Sequence, residues 1–482
     1  MTEPNRRIII DGVAFSQVVQ FPKLLGSCTA AFQPARLLIG LLMVTAVMTF
    51  GRAWDGLTEP TVHPGGLLAG RWTEADRQAL QPVLLSAMDK YALPDDRFPE
   101  EVTEESWQPV QVIAIIEKGY REIRKDVTEP EQLEQDDREF RELVAMIERR
   151  APMGTFDASV KLVGERFQRM IDGVLALSIK DVLAGAQDFA VLFPRALWNQ
   201  DRVLTIALGL VLLLVYVVGG GALCRMAACQ FAGRVRLRMS DAIDFALVNW
   251  IRSMLALILP LGLALFLALI IVLLGALMIV PILDVLGGLL YGVALLVGFV
   301  LAFVLVGYAA GFAMILPAVA CEKCDWMDAN QKAFAFVYQR PLHLLGYAAT
   351  ALIGLVLGYL VFGLFTTLML NMTASLFGMI SGHPALNSAG DFPWFNFELR
   401  RVDPWVPGLV SGLIMFWQTL VVSLVGAYIV SFVCDVSTRL YLLIRRACDD
   451  QEIGEIWWPG MIPGTIGTVR NRTEELSREE TT

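Results

Sequence analysis

The sequence predicts an all-α integral membrane protein with six transmembrane helices. Its residues are 55% hydrophobic and only 18% charged, which is more apolar than is usual for soluble proteins. Five uncharged runs are each longer than the roughly 20 residues that a helix needs to cross a bilayer. These runs, spans two to six, cover residues 203–223, 253–283, 285–320, 341–370 and 406–434.

Span one is the shorter run LLIGLLMVTAVMTFG at residues 37–51. Arg36 and Arg52 flank it and can extend to the aqueous surface, while Trp54 lies at headgroup depth. No A-x-A cleavage site follows, so we expect an uncleaved anchor and not a signal peptide.

The short loops predict the orientation of the chain, because Lys and Arg accumulate on the cytoplasmic side. With the N terminus inside, the short outer loops carry only Arg400 and Arg401. Fifteen basic residues fall inside, namely Arg6, Arg7, Lys23, Arg36, Arg225, Arg234, Arg236, Arg238, Arg252, Lys323, Lys332, Arg340, Arg439, Arg445 and Arg446. We therefore expect both termini to be cytoplasmic. All seven cysteines also lie on or beside the predicted inner side, as expected for thiols in a reducing compartment.

Residues 54–200 interrupt the membrane pattern and predict an acidic, helical, extracytoplasmic domain. Residues 51–200 hold 27 acidic and 18 basic residues, a net charge of −9, which leaves 21 of each sign elsewhere. This charge makes nucleic acid an unsuitable partner. The apolar spacing predicts a helical hairpin of residues 130–150 and 156–178, with Thr155 as the cap of its second helix. Two further helices, at 74–91 and 108–125, are expected to pack on it.

A weak internal repeat predicts three hairpins in the membrane half. The segments MSDAIDFALVNWIR (239–252) and WMDANQKAFAFVYQR (326–340) share D-A-x-x-x-A, and each precedes a pair of spans. VAFSQVVQFPKLL (13–25) occupies the equivalent place before span one. Each unit is therefore predicted to be an interfacial amphipathic helix followed by two spans. The expected domains are 1–53, 54–200, 201–448 and a partly disordered cytoplasmic tail, 449–482.

Two sets of residues are assigned to the membrane environment. Interfacial positions, where basic and Trp side chains reach the headgroups, are Arg36, Arg252, Lys332, Arg340, Trp457 and Trp458. Small residues, which allow helices to approach closely, are Gly288, Gly292, Gly307, Gly311, Gly354, Gly358, Gly408, Gly412, Ser423 and Ala427. The small residues favour packing between spans over an oligomer contact.

The C-x-x-C at Cys321 and Cys324 is the one candidate metal or redox motif. Zinc requires two further ligands, and Cys224 and Cys229 have no His beside them. No βαβ pattern supports a redox motif. Free thiols at the end of span four are the favoured interpretation, and no metal or cofactor is predicted.

The sequence contains few residues or motifs that are typical of catalysis or of ion-coupled transport. No G-x-S-x-G, H-E-x-x-H or P-loop occurs, so no catalytic residue is assigned. Ion-coupled transport usually requires an ionisable residue inside the bundle, whereas the uncharged runs offer only Gln418 as a strongly polar side chain. Asp284 and Asp435 lie at span ends.

Three stretches carry a family resemblance: 219–247 (GGGALCRMAACQFAGRVRLRMSDAIDFAL), the run from Asp328 to Pro341, and 441–458 (YLLIRRACDDQEIGEIWW). They resemble blocks of uncharacterised polytopic bacterial inner-membrane proteins. More distantly, the alternation of interfacial helix and hairpin is similar to the membrane domain of some glycerophosphodiester phosphodiesterases. The resemblance covers the membrane half only and implies a location in the bacterial inner membrane. It implies no catalytic activity, because no phosphodiesterase domain is present.

These observations favour a non-enzymatic scaffold or accessory subunit that contacts the lipid bilayer and a protein partner or a second copy in the membrane. The alternative is a transporter or lipid-handling protein with a path among spans four to six. A membrane enzyme is the third hypothesis.

Overall fold

The computed structural model describes residues 21–93, 107–127, 129–279, 283–381 and 408–467. These residues form helices, turns and loops, and no β-strand is among them. Six helices in the described residues are long and apolar enough to cross a membrane. The structure thus confirms an all-helical chain of the multi-pass membrane class.

Five of the predicted spans correspond to longer helices, whereas the span three helix, Trp250–Ala276, is shorter than the predicted run 253–283. Span two contains one π-helical turn at Tyr216–Gly220, between its two α-helical parts. The spans are Pro34–Leu57, Arg202–Val215 continuing as Gly221–Gly233, Trp250–Ala276, Leu283–Glu322, Pro341–Ser381 and Gly408–Asp449. Span five begins at Pro341 as predicted, at a position where proline is favoured because the first helical N–H has no partner within the helix.

Nine shorter helices complete the described residues. They are α1 (Pro22–Ala30), α2 (Glu74–Tyr91), α3 (Pro109–Asp126), α4 (Pro130–Arg150), α5 (Thr155–Leu175), α6 (Ile179–Gln187), α7 (Phe193–Gln200), α8 (Met239–Val248) and α9 (Trp326–Gln339). Helices α1, α8 and α9 directly precede spans one, three and five. Three predicted parts lie outside the described residues: residues 13–20 of the first interfacial segment, the loop that carries Arg400 and Arg401, and the disordered end.

The chain divides into two compact units whose boundaries fall within the spanning helices. The first unit comprises Met1–Met43, Leu213–Gly358 and Gly426–Thr482, and the second comprises Val44–Leu212 and Tyr359–Val425. These units do not coincide with the four domains expected from the sequence, whose limits stay predictions.

In the second unit, α2, α3 and α4 enclose one apolar cluster. The Tyr120 ring stacks on Phe140 with ring centroids 4.1 Å apart, and Tyr91 meets both rings edge-on. The Tyr120 hydroxyl donates a 2.8 Å hydrogen bond to Asp137, which also pairs with Arg124. Burial, followed by the hydrogen bond to Asp137, raises the pKa of Tyr120.

Helix α5 belongs to a different cluster, with α7 and the adjoining ends of spans one and two. Asp55 accepts hydrogen bonds from the N–H groups of Phe156 and Asp157, each at 2.9 Å. A carboxylate from span one therefore caps α5, not Thr155. The predicted pairing of α4 with α5 also differs from the structure, because each helix buries its apolar face in its own cluster. The apolar spacing of residues 156–178 also predicts that Val160 is buried, whereas its side chain is exposed.

In the first unit, small residues allow close approach at three places. Span four packs on α9 where Gly307 faces Phe334 and Gly311 faces Ala333. Span five packs on span six in the same way, with Gly354 against Phe432 and Gly358 against Tyr428. Span one approaches span six where Gly40 meets the Ala427 backbone, and a Cβ at Gly40 would lie only 2.6 Å from the Ala427 carbonyl oxygen. That third approach was not predicted.

Candidate functional site

Five charged residues of the first unit are almost completely buried, at or beyond the ends of the uncharged runs of the spanning helices. Arg36, Arg225, Glu322, Asp435 and Arg445 are each at most 3% exposed. Burying a charge without a partner costs several kcal/mol, so the contacts of these five side chains define the site. We call them, together with the side chains that pair with them, the buried charge cluster.

Asp435 of span six is paired with two arginines. Arg36 from span one donates to its Oδ1, and Arg439, one helical turn later on span six, donates from Nε to its Oδ2 at 2.7 Å. Arg36 also donates to Gln230 Oε1 at 2.7 Å. Arg439 reaches the carbonyl of Lys23 at the start of α1, at 3.0 Å. This network joins spans one, two and six with α1.

Glu322, the last residue of span four, has a comparable set of partners. Arg445 of span six donates to Glu322 Oε1 at 3.0 Å, and the Tyr441 hydroxyl donates to the same oxygen at 2.5 Å. Lys332 of α9 pairs with the other carboxylate oxygen. Each buried carboxylate is therefore opposed by two cations, and the ionic network ties spans four and six to α9.

Arg225 of span two is buried, and no carboxylate of the described residues forms an ion pair with it. Its guanidinium donates to the carbonyls of Ala320 at 2.9 Å and Trp457 at 2.8 Å. The rings of Phe245, Trp457 and Trp458 lie within 4.8 to 5.9 Å of its central carbon. Carbonyl oxygens and aromatic faces both carry negative partial charge, so they stabilise this guanidinium.

The C-terminal tail covers the end of span four. The last carbonyls of a helix lack partners within the helix. Here the backbone N–H of Trp457 donates to the Cys321 carbonyl at 2.7 Å, and the backbone N–H of Gly464 donates to the Glu322 carbonyl at 3.1 Å. Arg445 holds the tail from its other side by donating to the Glu455 carbonyl at 2.5 Å. We call residues 451–467 in this position the docked tail.

The predicted interfacial residues divide into two groups. Arg36, Trp457 and Trp458 are 1%, 6% and 6% exposed, which differs from the prediction that they reach the headgroups. Arg36 is buried because Asp435 and Gln230 accept hydrogen bonds from its guanidinium. The two Trp rings are buried against the Arg225 guanidinium. Arg252 is 37% exposed and lies 3.7 Å from Asp325. Lys332 is one-third exposed although it pairs with Glu322, and Arg340 is exposed.

The remaining predicted small residues have fewer neighbours. Gly288, Gly292 and Gly412 have no heavy atom of the described chain within 4 Å of an added Cβ, apart from their own helix and chain neighbours. Ser423 is partly buried, and Gly408 is the first residue of the span six helix.

The two thiols of the C-x-x-C are buried at the end of span four. Cys321 is fully buried and Cys324 is 2% exposed. Among the described residues, no group of three or more His, Cys, Asp or Glu side chains is placed to hold a metal ion. Burial, followed by the negative charge of Glu322, raises the pKa of Cys324 to about 12. Its thiol is therefore protonated and a poor nucleophile at neutral pH.

The arrangement of this site is suited to anchoring. Within the described chain, the oxygens of Asp435 and Glu322 are engaged with cations and hydroxyls of the same cluster. Buried carboxylates whose oxygens are engaged in this way hold the helices that contribute the partners in a defined position. The site couples four spans, three short helices and the docked tail.

Comparison with known proteins gives no relative: no family model matches the chain, and no curated protein or solved structure matches it. The resemblance to polytopic bacterial inner-membrane proteins, and to the membrane domain of glycerophosphodiester phosphodiesterases, stays a prediction.

We predict that Glu322→Gln destabilises the protein by about 3–5 kcal/mol. Glutamine keeps the shape but removes the charge that compensates Arg445 and Lys332. The measurement is denaturant unfolding of the full chain in detergent. The matched control is Glu139→Gln, because Glu139 and Lys90 form a pair in which both side chains are more than half exposed. Exposed ion pairs contribute little to the free energy of unfolding, so the control should unfold at the same denaturant concentration as the wild type. Equal stability of all three proteins would contradict the role of Glu322.

We predict that Cys324 resists alkylation in the folded protein up to about pH 9. The reactive species is the thiolate, which becomes abundant only as the pH approaches the raised pKa of about 12. After denaturation the thiol regains its ordinary pKa of 9.0 and is alkylated readily at pH 9. The rate is measured by iodoacetamide labelling with peptide mass spectrometry. Equal rates for folded and denatured protein at pH 9 would show that the thiol is accessible and unperturbed.

Proposed function

We propose that this protein is a non-enzymatic membrane scaffold, or an accessory subunit of a membrane complex. The observation that supports this proposal best is the closed pairing of the buried charge cluster. A catalytic or ion-coupling site has to leave charged groups available to a substrate. In the first unit, Asp435 and Glu322 instead hold helices and the docked tail together.

We further propose that the chain lies in the bacterial inner membrane, with three helical hairpins and cytoplasmic termini. The distribution of Lys and Arg over the short loops supports this orientation. Helices α1, α8 and α9 would then lie along the inner membrane surface. Residues 54–200 would form the extracytoplasmic domain inserted between spans one and two.

The packing of spans five and six favours a scaffold over a transport path between them. Gly354 and Gly358 lie one helical turn apart on span five. An aromatic ring of span six occupies the space beside each of them. Added Cβ atoms would lie 3.2 Å from Phe432 and 1.9 Å from the Tyr428 hydroxyl. Such close contacts leave no room for a substrate at this level of the two helices.

The acidic segment 54–200 supplies the proposed surface for a partner. Helix α4 is strongly charged on its exposed side and buries Phe140, Val144 and Ile147 on the other. A rigid membrane anchor with a folded acidic domain is suited to positioning a basic partner protein, because complementary charge favours encounter and specificity.

The proposed orientation predicts which introduced thiols are labelled from outside. Glu59 and Ile462 are exposed positions, and each is replaced by Cys in a Cys28→Ser/Cys448→Ser background. In cells with a permeabilised outer membrane, an impermeant maleimide should label Glu59→Cys at once. It should label Ile462→Cys only after lysis. Labelling of Ile462→Cys in unlysed cells would overturn the orientation.

The scaffold proposal predicts a protein partner or a second copy at fixed stoichiometry after mild detergent extraction. The test is purification of the tagged full chain from native membranes, followed by mass spectrometry of its proteins and lipids. A Glu131→Lys/Glu134→Lys/Glu142→Lys variant, altered at exposed positions of α4, should lose a partner that binds the acidic surface. A stoichiometric lipid without a protein would favour the lipid-handling alternative. A monomer with neither would remove the basis of the scaffold proposal.

A further inference from the structure

Three arginines in the loop between span two and α8 differ from the buried arginines of the first unit. Arg36, Arg439 and Arg445 pair with carboxylates. Arg234, Arg236 and Arg238 are exposed, and within the described residues none of them forms an ion pair. Three guanidinium groups are thus held within five residues, free to bind an anion. We call residues 234–238 the basic loop.

The backbone fixes the two ends of the basic loop. Arg234 has a left-handed conformation with φ of 53°, where glycine is usually favoured because it lacks a Cβ. The Val235 N–H donates to the Cys229 carbonyl at 3.2 Å, which ends the span two helix. At the other end, Leu237 and Met239 pack against a buried apolar cluster. The arginines therefore project from an anchored segment.

Exposed apolar side chains lie within the basic loop and, farther along the chain, at the other end of α8. Val235, between two arginines, is 39% exposed, and Leu247 and Val248 at the end of α8 are 50% and 76% exposed. Trp250 and Ile251, the first residues of span three, are also exposed. A basic loop that carries an exposed apolar residue between its arginines and directly follows a spanning helix is typical of segments that bind anionic membrane surfaces.

We propose that the basic loop binds the phosphate headgroups of anionic phospholipids. This assignment depends on the proposed placement of the spans in a membrane, but not on the scaffold role. Guanidinium groups donate two parallel hydrogen bonds to phosphate oxygens. Val235, between two of the arginines, contacts the acyl region beside those headgroups, and the exposed apolar residues at the end of α8 lie along the same membrane surface. An acidic protein segment would satisfy the arginines and leave these apolar side chains in water, so lipid is the favoured ligand.

The test is a lipid titration of the full chain in detergent micelles, followed by native mass spectrometry. Phosphatidylglycerol is compared with phosphatidylcholine, and the ratio of their affinities is the readout. The wild type should prefer phosphatidylglycerol. Each arginine replaced by glutamine should lower that preference about fivefold, and Arg234→Gln/Arg236→Gln/Arg238→Gln should lower it about 100-fold. The triple Arg→Lys variant should retain most of it.

The matched control removes the same charge from another part of the chain. Arg138→Gln/Arg149→Gln/Arg150→Gln replaces three exposed arginines of α4 and should keep the wild-type preference. An unchanged preference in the basic-loop variant, or an equal loss in the control, would overturn the proposal. So would displacement of the lipid by millimolar inorganic phosphate, which would indicate a site for free anions. Tighter binding of polyglutamate than of phosphatidylglycerol would identify an acidic protein ligand instead. Equal melting temperatures verify that each variant is folded.

These outcomes are distinguishable from failure of the scaffold proposal. A protein that purifies as a monomer without a partner, yet loses its preference for phosphatidylglycerol when the basic loop is changed, would refute the scaffold role alone. A partner that persists without any lipid preference would refute the lipid site alone.

Discussion

The cost of removing charge from water is the constraint on which the first unit depends. Glu322 ends span four and Asp435 follows the apolar run of span six, and both are buried where an unpaired carboxylate would cost several kcal/mol. Each is opposed by two cations, and at least one of the two comes from another helix. Because such pairs tolerate little change in geometry, the positions of spans one, four and six follow from where these charges meet. Arg225 extends the same constraint to the tail through Trp457.

The coarse fold could be predicted because it depends on local composition. A run of about 20 apolar residues is sufficient to define a spanning helix, and Pro341 marks the start of span five for a purely local reason. The arrangement of residues 54–200 could not be predicted in the same way. The apolar face of α4 is compatible with any apolar partner. In the structure it packs in one cluster with Leu84 of α2 and Ile116 of α3. The capping of α5 by Asp55 joins residues 101 apart.

The site shows a similar division between local and distant information. Asp435 and Arg439 are four residues apart, so their pairing on one helix face is visible in the sequence. The partnership of Asp435 with Arg36 leaves no local trace. Arg36 was expected at the membrane surface because a basic residue beside an apolar run usually extends to water. Likewise, the preference of Trp side chains for the membrane–water interface predicts that Trp457 lies there. In the structure its ring is instead buried against the Arg225 guanidinium.

The contact between Arg36 and Asp435 also has a consequence for biosynthesis. The two residues are 399 positions apart, and ribosomes add roughly 5–20 residues per second. Span one is therefore made about 20–80 s before the carboxylate that neutralises Arg36 exists. During that interval Arg36 has to remain at the membrane surface, in water or among headgroups, and it can be buried only when span six arrives. The position expected for Arg36 from the sequence would then describe the growing chain, and the buried position the finished one.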